Sequence, residues 1–206
     1  MEYDLHVHSK YSNDSFLDPA KIIKIAKKKS LKGVAITDHN TIKGGITALK
    51  INNDVDFDLI VGAEIRTEYG DILGLFLNEE IKSRNFLEVV DEIKSQDGLI
   101  SLAHPYRHYE FPEKIIDSVD LIEAFNARSI KSDNIKSLKL AIKYKKAVTA
   151  GSDAHLGFEI GKGKIKVNGE IREALKEGNV KIMGSESNYY WVHGLSVLSE
   201  KIKKII

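Results

Sequence analysis

The sequence predicts an α/β fold in which a mainly parallel sheet closes into a barrel. Short apolar runs alternate with segments of helical periodicity along the chain. Clusters of histidine and carboxylate follow directly on five of those runs. In parallel α/β folds chemistry gathers where strands end, and only a closed sheet brings five such ends around one mouth; an open sheet spreads them along a crevice.

The strand-like runs are residues 3–7, 33–37, 58–64, 98–103, 119–124 and 147–150, and residues 66–77 form an extra extended excursion after the third. Between them lie helices with recognisable ends. Asp18-Pro19 is an N-cap followed by a proline at the first helical position, and Ile22, Ile23 and Ala26 share one face of the helix it opens. Ser83 is the expected cap of a helix carrying Phe86, Leu87, Val90 and Ile93, closed by Gly98. Another starts near Ser132 and repeats Ile135, Leu138 and Ile142 at helical spacing. Residues 170–177 make a short helix ended by Gly178. Leu195, Leu198, Ile202 and Ile205 recur at the C-terminus beside Lys201, Lys203 and Lys204, the pattern of a docked terminal helix with a solvated basic side. A membrane surface or a nucleic acid is the other reading of that basic stretch.

The length of 206 residues suits a single domain, residues 1–206, and 42% apolar with 30% charged residues is the composition of an ordinary soluble protein. No apolar run approaches the roughly 18 residues of a membrane-spanning helix. Residues 1–9, MEYDLHVHS, enter a strand at once without the charged-then-apolar order of a signal segment, so the cytoplasm is the expected location. Cysteine is absent, which leaves nitrogen and oxygen as the only metal ligands. A net charge of +1 offers no general attraction for polyanions, so any nucleic-acid binding must be local.

His6-Val7-His8 is the sharpest unit, because side chains two apart on a strand share a face and two imidazoles there can grip one ion. Asp4 lies on the same face, either orienting an imidazole or simply marking the start of the strand. Asp38-His39 and Asp153 with His155 each read as a turn or as ligands. Glu64 ends the buried run Leu-Ile-Val-Gly-Ala, where an unpartnered carboxylate costs several kcal/mol. His104 precedes Pro105, which disfavours helix and is expected to hold the histidine's backbone extended. Each bland reading stands alone; together they require five coincidences at one structural position.

Taken in order, D-L-H-V-H-S-K-Y-S-N-D (4–14), I-T-D-H-N (36–40), G-A-E (62–64), H-P (104–105) and G-S-D-A-H (151–155) resemble the motifs of PHP-domain (polymerase and histidinol phosphatase) proteins. The resemblance covers roughly the whole chain and is strongest over residues 1–155. It implies a distorted (β/α)7 barrel, a relative of the TIM barrel, holding two or three divalent metal ions (manganese, zinc, iron or magnesium). It also implies a metal-dependent phosphoesterase, phosphatase or exonuclease in type, acting on a phosphorylated small molecule, nucleotide or oligonucleotide. By the same resemblance His6, His8, Glu64 and Asp153 bind a first ion, Glu64 bridges to a second held by His104, and Asp14, His39 and His155 bind a third. Many relatives place a further histidine in a stretch resembling H-I-L-G, where this chain has Asp71-Ile72-Leu73-Gly74. Asp71 either supplies oxygen in its place, shifting preference from zinc towards manganese, iron or magnesium, or leaves the second site weak or empty; substitution is the expectation.

Three divalent ions set against Asp14, Glu64 and Asp153 leave a surplus of about three positive charges, or two with Asp71 included, which suits an anion better than an amide or sugar. The expected reaction is hydrolysis of a P–O bond by a hydroxide bridging two ions, with Asp153 and His155 in the catalytic set. Arg107 and Arg128, two of only five arginines, stand after strands as phosphate clamps or solvated loop residues. His108 is a candidate general acid or a surface histidine. Asn126 lines the pocket or ends a strand, and His193, outside every motif, is read as structural beside Tyr189, Tyr190 and Trp191. Tyr11, Tyr69, Tyr106 and Tyr109 are candidates to stack a base. The competing readings are a metal-dependent hydrolase of non-phosphate substrates such as amides, and a non-catalytic module whose metal site has partly decayed.

Overall fold

The computed structural model describes residues 1–107 and 111–204. Seven strands form the barrel wall in the order β7-β6-β5-β4-β3-β2-β1. They are β1 (Glu2–Val7), β2 (Gly33–His39), β3 (Asp58–Thr67), β4 (Gly70–Leu75), β5 (Leu99–Leu102), β6 (Leu121–Asn126) and β7 (Ala147–Gly151). The 66–77 excursion resolves into the end of β3 and the whole of β4, which runs antiparallel to both neighbours while the other neighbouring pairs in the wall are parallel.

The sheet curls until the segment after β7 returns to β1. Val7 bridges Ala154 in parallel, His8 N donates to Ala154 O at 2.9 Å, and Asp153 N donates to His6 O at 2.8 Å. Gly151 permits this approach: any Cβ there would collide with His6 Cβ and lie 2.8 Å from His6 N. The other half of the same β1 edge pairs with β8 (Gly163–Val167), antiparallel, and β9 (Val180–Gly184) follows on β8. The barrel is therefore nearly closed, with an antiparallel β8–β9 pair splayed from its seam.

Helices α1 (Pro19–Lys28), α2 (Lys43–Ile51), α3 (Phe86–Ser95), α4 (Lys131–Tyr144), α5 (Ile171–Glu177) and α6 (Tyr189–Lys203) complete the chain, with a 3-10 turn at Glu113–Ser118. Asp18 Oδ1 accepts from Ala20 N ahead of Pro19, and Gly178 ends α5 in the left-handed region at φ 71°, both as the residues predict. The α3 cap is Asn85 rather than Ser83. The Asn85 side chain accepts from Glu88 N at 3.3 Å, while Ser83 Oγ accepts from Asn85 N one turn earlier. α4 is present but rotated from its apolar stripe: it buries Asn134, Ser137, Leu140 and Ala141, leaving Ile135, Leu138 and Ile142 exposed. Asn134 sets that rotation, because its carboxamide accepts from Asn126 N at 3.0 Å and donates to Asn126 O at 3.2 Å. Two fixed hydrogen bonds to a buried strand end outweigh a partial gain in apolar burial.

Three apolar clusters hold the layers together. Ile22, Ala26, Val34 and Ile36 pack together beside α1; Phe86, Ile93, Ile100 and Ile122 pack beside α3; Tyr3, Leu5, Leu75, Ile165 and Leu175 tie β1 to β4, β8 and α5. Among the described residues no helix is long and apolar enough to cross a membrane.

Candidate metal centre

Strand alternation and strand ends deliver the polar groups to one rim. His6 is on β1 and His8 just beyond it, His39 closes β2 opposite Glu64 of β3, Asp71 is on β4, His104 follows β5, and Asp153 and His155 follow β7. Asp14 enters from the loop between β1 and α1. The nine predicted ligands meet there in overlapping groups. Ligand atoms of His8, Asp14, His39 and His155 lie within 4.8 Å of one another, as do those of His6, His8 and Glu64, of His6, His104 and Asp153, and of Glu64, Asp71 and His104. Glu64 is the hub: Oε1 is 2.8 Å from His104 Nε2, and Oε2 is 3.0, 3.3 and 3.4 Å from His39 Nδ1, His8 Nε2 and His6 Nε2. Asp14 Oδ2 lies 2.8 Å from His155 Nε2, and Asp153 Oδ1 lies 3.2 Å from His8 Nε2.

Outer partners set the imidazole tautomers. His6 Nδ1 faces Glu123 Oε1 at 2.9 Å, and His155 Nδ1 faces Asp153 O at 2.9 Å. Both partners accept only, so both Nδ1 atoms carry the proton. Ser12 donates its hydroxyl to Asp38 Oδ1 at 2.8 Å, which leaves its oxygen to accept from His8 Nδ1 at 3.1 Å. Three histidines thus turn Nε2 lone pairs inward. His6 Nε2 and His8 Nε2 stand 3.0 Å apart, an arrangement two neutral lone pairs repel unless a proton or cation lies with them. Among the described residues Asp14 Oδ1 is buried without a hydrogen-bond partner. The donor set therefore fits divalent ions on nitrogen and oxygen.

The electrostatics agree. Burial disfavours the charged forms of His6 and His39, yet Asp153, Glu123 and Glu64 around His6, and Glu64 with Asp14 around His39, hold both well above the usual histidine range. Burial, with His155 and His39 nearby, pushes His8 down to about 3. Against the cost of burial, His6 and His39 hold Glu64 well below the usual carboxylate range, and His6 and Arg107 do the same for Asp153. Protonated histidines here occupy the electrostatic role of cations.

Arg107 reaches the centre: Nη1 donates to Asp153 Oδ2 at 2.6 Å, and Nη2 donates to Asn126 Oδ1 and to Ser129 Oγ. Arg128 also lines the cavity, but its Nε and Nη2 form a fork on Glu159 at 2.9 and 2.7 Å and Nη1 donates to Ser196 Oγ. Asn126 lies on the site side, donating to Glu123 and Asp153. His104 is left-handed at φ 26° rather than extended: its N–H turns onto Glu123 Oε2, and Arg107 N donates to His104 O, so the chain closes a turn through Pro105. Asp4 holds Ser152 and Gly161 N in place instead of an imidazole. His108, the candidate acid, and Tyr109 lie outside the described residues.

The centre opens into a cavity of about 300 Å³ walled on one side by His193, Ser196, Val197 and Glu200 of α6. His193 stacks on Tyr189 as its aromatic surroundings suggest, yet also faces this cavity. A larger cavity, about 720 Å³, lies by Tyr3 and Asp58 near the opposite strand ends and is lined by none of the described histidines. Sequence reading missed Glu123, whose signal was a carboxylate inside the apolar run Leu-Ile-Glu-Ala-Phe, and the supporting role of Asp38 and Ser12, whose signal was proximity to His39 and His8.

Comparison with known proteins accords with this geometry. An uncharacterised protein of Methanocaldococcus jannaschii is 42% identical over 141 residues, spanning 62% of this chain and 82% of the relative. The crystal structure of a two-domain Bacteroides vulgatus protein containing a predicted PHP-like metal-dependent phosphoesterase superposes with a TM-score of 0.79 at 16% identity. That match covers 90% of this chain and 65% of the Bacteroides chain, so this chain spans a little under two thirds of its length. Endonuclease Q, in complex with a 27-mer duplex bearing an abasic lesion at the active site, gives a TM-score of 0.65 at 20% identity, over 90% of this chain and 60% of the endonuclease. Residues 4–192 match the PHP domain, and the chain belongs to the PHP domain family.

Proposed function

We propose that the chain is a metal-dependent phosphoesterase acting on a nucleotide or oligonucleotide phosphate ester. The observation that carries this reading is a centre of five imidazoles and four carboxylates with a guanidinium, Arg107, seated on its edge. His6, His8, Glu64 and Asp153 would hold one ion, Glu64, His104 and Asp71 a second, and Asp14, His39 and His155 a third. When bound, such ions lower the pKa of water and stabilise charge on phosphoryl oxygens.

The protein's own residues do the rest. Glu123, Ser12 and the carbonyl of Asp153 keep Nε2 of His6, His8 and His155 directed inward. Arg107 places a guanidinium on Asp153 at the edge of the centre, held there by Asn126 and Ser129, where its positive charge would face a phosphoryl group. Residues of α6 line the cavity on one side. The fold shared with Endonuclease Q supports a nucleic-acid or nucleotide ester as the substrate class. Turnover of a phosphate monoester, a bisphosphorylated nucleotide and short oligonucleotides, each with manganese, magnesium, iron or zinc, tests the proposal. Absence of phosphate release under every ion would overturn it, and preference among the three esters separates phosphatase from exonuclease.

A further inference from the structure

A second cavity, about 470 Å³, adjoins the metal centre and is lined by Tyr11, Asn13, Asn40 and the shared residues Asp14, His39, Arg66 and Glu200. We propose that it is a nucleobase subsite, with the ring of Tyr11 as its stacking platform; this rests on the phosphoesterase reading for the class of ligand but not for its geometry. The chemistry of the walls differs from that of the centre. It combines an aromatic ring, two carboxamides able to donate and accept, and a carboxylate able to accept from an amino group.

The structure also chooses among the tyrosines. Tyr69 packs edge-on against Phe86 and Tyr106 against Phe111, both within the apolar cluster beside α3. Tyr11 is 39% exposed and faces the cavity. Its backbone N–H donates to Ser9 Oγ at 3.3 Å, and its phenol oxygen accepts from Thr47 Oγ1 at 3.2 Å, which anchors the ring. A ring fixed in advance loses little freedom when a base stacks on it. Asn40 is fixed too, in the left-handed region at φ 57°, with its side-chain oxygen accepting from Arg66 N. Because Asp14 and His39 are common to both cavities, a phosphate at the centre places the attached nucleoside against this wall.

The test is calorimetric titration of the full chain in manganese with the non-hydrolysable phosphonate analogue of adenosine 5′-monophosphate, and separately with methylphosphonate. The expected result is adenosine phosphonate binding about tenfold or more tighter than methylphosphonate, with Tyr11→Ala reducing that ratio at least fivefold and Tyr11→Phe, which keeps the ring but loses the Thr47 contact, reducing it less. Equal affinities for the two phosphonates, or a ratio indifferent to Tyr11→Ala, overturns the subsite. Preferential nucleotide binding without turnover of any phosphate ester would sink the phosphoesterase reading alone, while turnover of esters without nucleotide preference would sink the subsite alone.

Discussion

Replacing Glu123 by glutamine isolates what the layer behind the ligands does. Glu123 is 1% exposed and accepts three hydrogen bonds, from His6 Nδ1, His104 N and Asn126 Nδ2. Glutamine keeps the shape but turns one oxygen into a donor. If that NH2 faces His104 N and Asn126 Nδ2, two donors oppose it; if it faces His6, the imidazole must move its proton to Nε2 and lose its inward lone pair. Loss of such an outer partner typically lowers metal affinity 10- to 100-fold, which corresponds to about 1.4–2.7 kcal/mol. The assay is manganese binding by calorimetry or chelator competition, with a thermal melt confirming that the variant folds. Affinity within twofold of wild type in a folded Glu123→Gln protein refutes the view that Glu123 sets the His6 tautomer.

Four further outcomes are expected. Since the metal-free centre holds His6 and His39 protonated above neutral pH, ion binding at pH 7 releases protons; calorimetry in buffers of different ionisation enthalpy detects this, and zero release contradicts the assignment. Raised folded-state values also mean that this stabilisation is full below the unfolded histidine pKa and lost as pH climbs through the folded one, so the melting temperature of chelated protein falls as pH rises above neutral; a melting temperature that does not fall contradicts the assignment. Asp71→Ala lowers the bound metal per chain by elemental analysis, and unchanged stoichiometry removes Asp71 from the ligand set. Arg128→Met leaves Glu159 buried without its cation and costs about 3–5 kcal/mol in urea unfolding, whereas Arg107→Ala acts mainly on kcat/KM; a loss under about 1 kcal/mol for Arg128→Met contradicts the first half.

The parts of the molecule legible in the sequence are those encoded by short-range periodicity. His6 and His8 declare their common face by a spacing of two, and Asp18-Pro19 declares a helix start, because both depend on neighbours in the chain. The strands β8 and β9 went unread although Gly163-Lys164-Ile165-Lys166-Val167 alternates. Five residues are few, and α5 interrupts the pair. The orientation of α4 was misjudged since its apolar stripe is overruled by the carboxamide of Asn134, a contact made with Asn126 on another element. Glu123 meets His6 across 117 positions, and α6 reaches the centre only through tertiary packing, so neither role follows from local pattern.

The seam between β1 and the segment after β7 has a bearing on how the chain holds together. Its hydrogen bonds join His6 and His8 to Asp153 and Ala154, and the same two stretches supply four of the candidate ligands. An ion held by those residues would clasp the first and last thirds of the sequence and close a loop of nearly 150 residues. Bringing these two stretches together carries the entropy cost of closing that long loop, which contacts made at the seam must offset. An ion present at 100 times its dissociation constant adds about 2.7 kcal/mol against opening of the barrel. The amides of His8 and Asp153 should accordingly exchange with solvent fastest when the metal is removed, ahead of those in β2 and β3.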